Sequence, residues 1–178
     1  MAEIELNKLT NANVYISGNN FATKSFLGKA EEFGLPMLKY IFADHKGLGL
    51  AGIMELWTGG IDKMDGKVKW GSWYKDAFDR CSNPGKPAKI MVRGALMTHD
   101  STGLKSTVPY VCYVTAAFKD VPMGNFKHND NAEFEQNYNA YYIKLEVDGV
   151  EKLQVDVAAN ILKINGVDLL ADFKLAIG

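Results

Sequence analysis

The chain has 178 residues, 47% of them hydrophobic and 23% charged, with 20 basic against 21 acidic side chains and a formal charge of −1. That length suits one domain, residues 1–178, with a sizeable core, and the supply of aromatic and β-branched residues excludes a disordered chain. The near-zero charge excludes a chain-wide basic footprint for nucleic acid or anionic membrane, and it weakens repulsion between copies. Cys81 and Cys112 are too far apart for a zinc or redox pair and too few for a disulfide framework, so both are expected to be buried and reduced. The start, Met1-Ala2-Glu3-Ile4-Glu5-Leu6, has no basic segment leading into an apolar run, and no stretch approaches about 18 uninterrupted apolar residues. A soluble protein without a signal peptide or membrane insertion is expected.

In chain order, Val14-Tyr15-Ile16 reads as strand meeting a turn at Ser17-Gly18-Asn19-Asn20, and residues 21–38 look extended with little strict alternation. Residues 42–52 combine three glycines with Leu48 and Leu50, which predicts a flexible loop with an apolar tip. Strands over 53–57 and 68–70 are expected to be separated by Gly59-Gly60 and Asp65-Gly66. One helix is predicted: Ser72 caps it, Trp73, Ala77, Phe78 and Cys81 share a face, and Asn83-Pro84-Gly85 ends it.

Ala88, Ile90 and Val92 alternate with Lys89, Met91 and Arg93, and the polar turn His99-Asp100-Ser101-Thr102-Gly103 leads to a strand over 108–118 that is expected to pair with them. The polar stretch 119–139 reads as a long excursion between strands. Tyr141, Ile143, Leu145 and Val147 then alternate up to Asp148-Gly149, and Leu153, Val155 and Val157 alternate after it, the strongest short-range signal of a hairpin. A second hairpin is expected around Asn165-Gly166, so the chain is predicted to end as antiparallel sheet. The fold class is therefore mainly β, an antiparallel sandwich or barrel with one flanking α-helix.

No nucleotide loop, HExxH, paired CxxC or GxSxG elbow is present, and no catalytic residue, metal ligand or cofactor is assigned. The three histidines lie beside carboxylates in Asp44-His45, His99-Asp100 and His128-Asn129-Asp130, but each pair sits in a predicted turn, where backbone chemistry accounts for it better than a shared site does. Tyr110, Tyr113, Tyr138, Tyr141 and Tyr142 lack an accompanying basic cluster, so core packing or a subunit interface explains them better than stacking on sugars or bases. Leu48 and Leu50 leave two readings open: a partner covers them, or the loop folds back over its own barrel. Glu31, Glu32, Asp62, Asp65, Glu146 and Asp156 ordinarily mean a solvated strand face; in a closed tube some would line the channel.

Three stretches together resemble the major tail tube proteins of contractile-tailed phages. They are Asn13-Val14-Tyr15-Ile16-Ser17-Gly18-Asn19, Leu35-Pro36-Met37-Leu38-Lys39-Tyr40 running into the glycine-rich loop, and the C-terminal part with Tyr142-Ile143-Lys144-Leu145-Glu146-Val147-Asp148-Gly149 and Lys163-Ile164-Asn165-Gly166-Val167-Asp168. The match is looser over 67–139. The resemblance implies six copies closing into a ring with a continuous inner β-barrel, and rings stacking into a tube that delivers DNA through the host envelope. It implies a sheath protein outside, a tape-measure protein and then DNA inside without specific binding, baseplate and terminator proteins at the ends, and a place in the virion tail after assembly in the bacterial cytoplasm. Tail-like bacteriocins share the architecture. Carried onto this chain, it assigns the loop bearing Phe42, Asp44, His45, Lys46, Leu48 and Leu50 to contacts between subunits and ring stacking. The alternatives are a monomeric ligand-binding β-barrel and a small hydrolase using the His and Asp turns.

Overall fold

The computed structural model describes residues 4–18, 21–124 and 126–177. The elements run β1 (Leu6–Gly18), β2 (Phe21–Ser25), β3 (Ala30–Gly34), β4 (Tyr40–His45), β5 (Met54–Ile61), β6 (Met64–Trp70), α1 (Lys75–Cys81), β7 (Ala88–Asp100), β8 (Gly103–Phe118), β9 (Phe134–Val147), β10 (Val150–Asp156), β11 (Ile161–Ile164), β12 (Val167–Asp168) and α2 (Ala171–Ile177). Ten strands form one antiparallel sheet in the order β12-β11-β10-β9-β8-β7-β1-β2, with β6 branching from β9 and β3 pairing β6. The two remaining strands, β4 and β5, form a sheet of their own.

Strand β9 is the junction. Its first half, from Phe134 to Ala140, pairs β6, and its second half, from Tyr142 to Val147, pairs β10, while β8 runs along its other edge. Ala116 faces Ala140 and Thr115 faces Tyr142, leaving Tyr141 as an extra residue. An extra residue bends a strand and strengthens its twist. It also resets the alternation: Phe134, Gln136, Tyr138 and Ala140 are buried before it, and Ile143 after it. The sheet thereby turns over on itself, and both layers contribute to one core that includes Val14, Ile16, Ile90 and Val114 from one side and Met64, Val68 and Trp70 from the other. Gly66 lies opposite Tyr138, whose hydroxyl donates to the Gly34 carbonyl at 2.9 Å. In the core, burial pushes the Cys112 thiol up to about 12 and raises Cys81 further, and both cysteines are free.

The turns follow their residues. Asp148-Gly149 and Asn165-Gly166 both have positive φ at each position, the conformation a two-residue primed hairpin needs. Ser101 and Thr102 join β7 to β8, where the Asp100 carboxylate accepts from the Thr102 amide and hydroxyl. The turn expected at 17–20 falls partly outside the described residues.

Several expectations are corrected. The chain ends in helix α2 rather than in sheet, because β12 is only two residues long and Asp168 then accepts from the Leu170 amide and ion-pairs with Lys174 at 2.7 Å, tying the helix to the strand before it. Residues 40–45 are strand, so the predicted loop is shortened to the segment between β4 and β5. Gly59-Gly60 lies inside β5 and Asp65-Gly66 inside β6; the reversal is at Asp62-Lys63, where the Asp62 carboxylate accepts from the next amide at 2.8 Å. Helix α1 has Tyr74, without a side-chain cap, at its start, and it buries Ala77, Arg80 and Cys81, whereas Phe78 and the preceding Trp73 stay exposed. Arg80 displaces them because its guanidinium donates to the Ala22 carbonyl at 3.2 Å and so holds the helix against β2. Strand β9 starts at Phe134, which shortens the polar excursion.

A methyl group on Gly66 would lie 2.4 Å from the Tyr138 ring and 2.7 Å from the Gly34 carbonyl oxygen. Gly66→Ala is expected to lower stability by about 1–3 kcal/mol, read as a lower urea midpoint at unchanged slope. The hydrogen bond from Lys174, followed by those from the Leu170 and Leu162 amides, holds the Asp168 carboxyl below its usual 3.8. Its contribution is therefore present above pH 3.8 and is lost as pH falls through the lower folded value. Asp168→Asn should melt below the wild type near pH 6, and the gap should close on acidification below 3.8.

Candidate functional site

Strands β4 and β5 form an arm joined to the body at its base. There the Asp62 amide donates to the Lys39 carbonyl at 2.9 Å, the Thr58 hydroxyl to the Ile41 carbonyl at 2.9 Å, and the Trp57 indole to the Gly60 carbonyl at 3.1 Å. Tyr40 meets Trp57 edge-on at 6.0 Å, and Gly59, at φ 80°, makes a turn of the backbone that a side chain would resist. Beyond the base all six residues of β4 and the first five of β5 are exposed. The register places Phe42 beside Trp57 and Asp44 beside Glu55 on one face, with Ala43 beside Leu56 and His45 beside Met54 on the other. Both faces are thus partly apolar. The tip does not fold back: Leu48 is fully exposed, and Leu50 and Ile53 are about half exposed. Such an arm gains nothing from its own core, since a two-stranded hairpin without a third layer is marginal in water.

The second surface is the outer face of the large sheet over β1, β7, β8 and β9. Tyr15, Lys89, Met91, Tyr113, Tyr142 and Lys144 line a shallow depression there. These are the residues that alternate with the buried Val14, Ile16, Ile90, Val114 and Ile143. Glu146 lies on the same face, opposite Val111, and Asp156 lies beside Tyr142. Lys144 bonds Glu146 at 2.6 Å and stands 3.7 Å from Glu151, and the Glu146 contact in the first place raises the Lys144 pKa. The lysine is thus held charged and already partnered by carboxylates.

The six predicted strand-face carboxylates do not converge. Glu31 and Glu32 pair with Lys69 at 3.2 Å and Lys67 at 3.4 Å on the β3–β6 layer, and Glu133 and Glu135 stand 3.9 Å from the same lysines. Asp65 accepts from Lys119, which above all lowers its pKa, and from Asn139 at 3.0 Å. Asp62 serves its turn. Only Glu146 and Asp156 share the depression's face.

The histidines also stay apart, with His45 on the arm, His99 near the end of β7 and His128 in a turn bridged by Lys127 and Asp130. Among the described residues no group of three or more His, Cys, Asp or Glu side chains could hold a metal ion. Of the five tyrosines, Tyr138 is core, Tyr110 is half-buried, Tyr141 projects at the bulge, and Tyr113 and Tyr142 belong to the polar face. Phe26, Met64, Val68, Tyr138 and Leu162 fill the interior and are essentially inaccessible, which is packing of the kind that excludes a ligand. Sequence reasoning missed Leu56 and Trp57 as arm residues, and Tyr15, Lys89 and Lys144 as parts of the polar face. The signal for the latter was present, because each is next to a buried residue in an alternating strand.

Comparison with known proteins matches residues 6–178 to the family described as phage tail tube protein FII. The tail tube protein of Escherichia phage P2 is 25% identical over 174 residues, which cover 96% of each chain. A chain in the cryo-EM structure of the anti-feeding prophage baseplate superposes with a TM-score of 0.49 at 10% identity, covering 76% of this chain and 91% of its own length. Matched over nearly its whole length, the chain belongs to the phage tail tube protein FII family, whose members are structural components of contractile tails and not enzymes.

Proposed function

We propose that copies of this chain close into hexameric rings which stack as the inner tube of a contractile tail, a conduit for DNA through the host envelope. The observation that carries this reading is the β4–β5 arm, whose apolar side chains, Leu48 above all, stay largely exposed among the described residues. An exposed apolar arm is stable in solution at a cost and gains most when a neighbouring copy buries it. Phe42, Leu48 and Leu50, with Asp44, His45 and Lys46 around them, are then contacts between copies.

The sheet edges support ring closure. Strand β2 covers β1 only from Tyr15 to Gly18, and β9 covers β8 only from Tyr110 onward, so the far parts of both long strands are bonded on one side by β7 alone. Unpaired edges of this length invite further strands, and a closed ring removes them. The polar face with Tyr15, Tyr113, Tyr142, Lys144, Glu146 and Asp156 becomes the channel wall, and the layer carrying Glu31, Glu32 and Asp65 faces outward. A channel must release DNA, so partnering of Lys144 by Glu146 and Glu151 suits transit because it leaves little free positive charge to hold phosphate. The sheath then surrounds the outward layer, the tape-measure protein precedes DNA in the channel, and baseplate and terminator proteins cover the tube ends in the virion tail.

Leu48→Asp combined with Leu50→Asp should leave a folded chain with a wild-type melting curve but no tubes in negative-stain micrographs; abundant tubes would overturn the role of the arm. For the channel, Thr115→Cys should react with a bulky polyethylene glycol maleimide before assembly and be protected in tubes, whereas Glu32→Cys should react in both states. Equal protection at the two positions would reject the assignment of faces.

A further inference from the structure

The strand order of the large sheet runs from β12 to β2, and a helix lies at each of these two strands. At β2 it is α1, held by Arg80 donating to the Ala22 carbonyl at 3.2 Å. At β12 the closure is made by one carboxylate. Ile164 of β11 is paired with Val167, and a regular ladder would continue with Leu162 against Leu169. Half of that rung exists, since the Leu169 amide donates to the Leu162 carbonyl at 2.8 Å. The other half is replaced: the Leu162 amide donates to the Asp168 carboxylate at 3.3 Å. The same carboxylate accepts from the Leu170 amide at 3.1 Å and pairs with Lys174 of α2 at 2.7 Å. A short acidic side chain bonded to nearby amides competes with the ladder and draws the backbone out of a strand. Strand β12 accordingly stops after two residues, and α2 follows although it buries none of its own side chains.

We propose that Asp168 guards this edge: its carboxylate ends the sheet at β12 and keeps a second copy of the chain from adding a strand there. Leu162 is fully buried, so its amide needs an acceptor, and a side-chain acceptor offers no strand for a newcomer to extend. Behind the guard lies Ile161-Leu162-Lys163-Ile164, paired with Leu153 and Val155 of β10. A run of that kind joins strands between chains when its edge lies open. A very short edge strand, a charged side chain turned toward the sheet and a covering helix are all means by which an edge is closed, and the three meet at Asp168. From the proposed ring the inference takes only the place where copies do join, the far parts of β1 and β8 that are bonded by β7 alone. A second open edge would compete for the same copies, so closing it confines sheet growth to those strands.

The test compares full-length chains under assembly conditions by negative-stain microscopy and thioflavin T fluorescence. Asp168→Ala, and equally Asp168→Val, should give non-tubular ribbons with a thioflavin signal about tenfold above the wild type's. Asp168→Asn keeps an oxygen for the Leu162 and Leu170 amides, so it should give no ribbons although it melts below the wild type. Gly66→Ala, destabilised far from this edge, should give none either. Ribbons from Gly66→Ala as abundant as those from Asp168→Ala would assign the effect to lost stability and overturn the guard. A wild-type thioflavin signal from both Asp168→Ala and Asp168→Val would reject it outright. Hydrogen exchange then locates the contact: peptides within 160–170 should gain protection when the Asp168→Ala chain passes from the free state into ribbons. Protection gained only elsewhere would reject this edge as the place of addition. Absence of tubes from the wild type would count against the ring, and the comparison of ribbons among the variants would still decide the guard.

Discussion

The arrangement depends on one strand having more neighbours than a regular strand can serve. Strand β9 bonds β8 along one edge and divides the other between β6 and β10, and the extra residue Tyr141 makes the division possible. Without it Tyr142 and Lys144 would turn into the core and Ile143 would turn out, since a shift of one residue exchanges the two faces of a strand. With it, one sheet supplies two layers, a single core and an outward polar face.

How far the sequence reveals this differs by region. The hairpins at Asp148-Gly149 and Asn165-Gly166, the β7–β8 pair and the buried cysteines were legible because each depends on local chemistry: positive φ at a turn, alternation of period two, or the cost of exposing an apolar thiol. The phase change in β9 was hidden, because Tyr141 and Tyr142 are identical residues and the alternation reads equally well through either. Helix α2 was hidden because its seven residues have no buried side chain, so no apolar stripe marks it. In α1 the apolar stripe misled: Trp73 and Phe78 look like core, and it is Arg80 that turns inward to reach the Ala22 carbonyl.

For the candidate site, the apolar tip at Leu48 and Leu50 was legible, yet the strands that carry it were not. Glycine at 59 and 60 suggested a break, whereas the backbone uses them to bring Trp57 and Thr58 back onto the arm's own carbonyls. The six carboxylates could be named from sequence but not sorted, because which layer a strand joins is decided by long-range pairing. Pairing put Glu31 and Glu32 beside lysines on β6 and left Glu146 beside Lys144 on β9.

The arm's attachment only at its base has a kinetic consequence. A hairpin of two strands with no layer behind it is weakly ordered on its own, so under the proposed role of the arm, joining a partner would have to fix one arm position. That ordering cost would fall on every addition, and would be smallest where the receiving surface is already held rigid by its neighbours. In the proposed tube, growth from an existing end would then be favoured over new starts in solution, which would keep a concentrated pool of copies unpolymerised until a template is present.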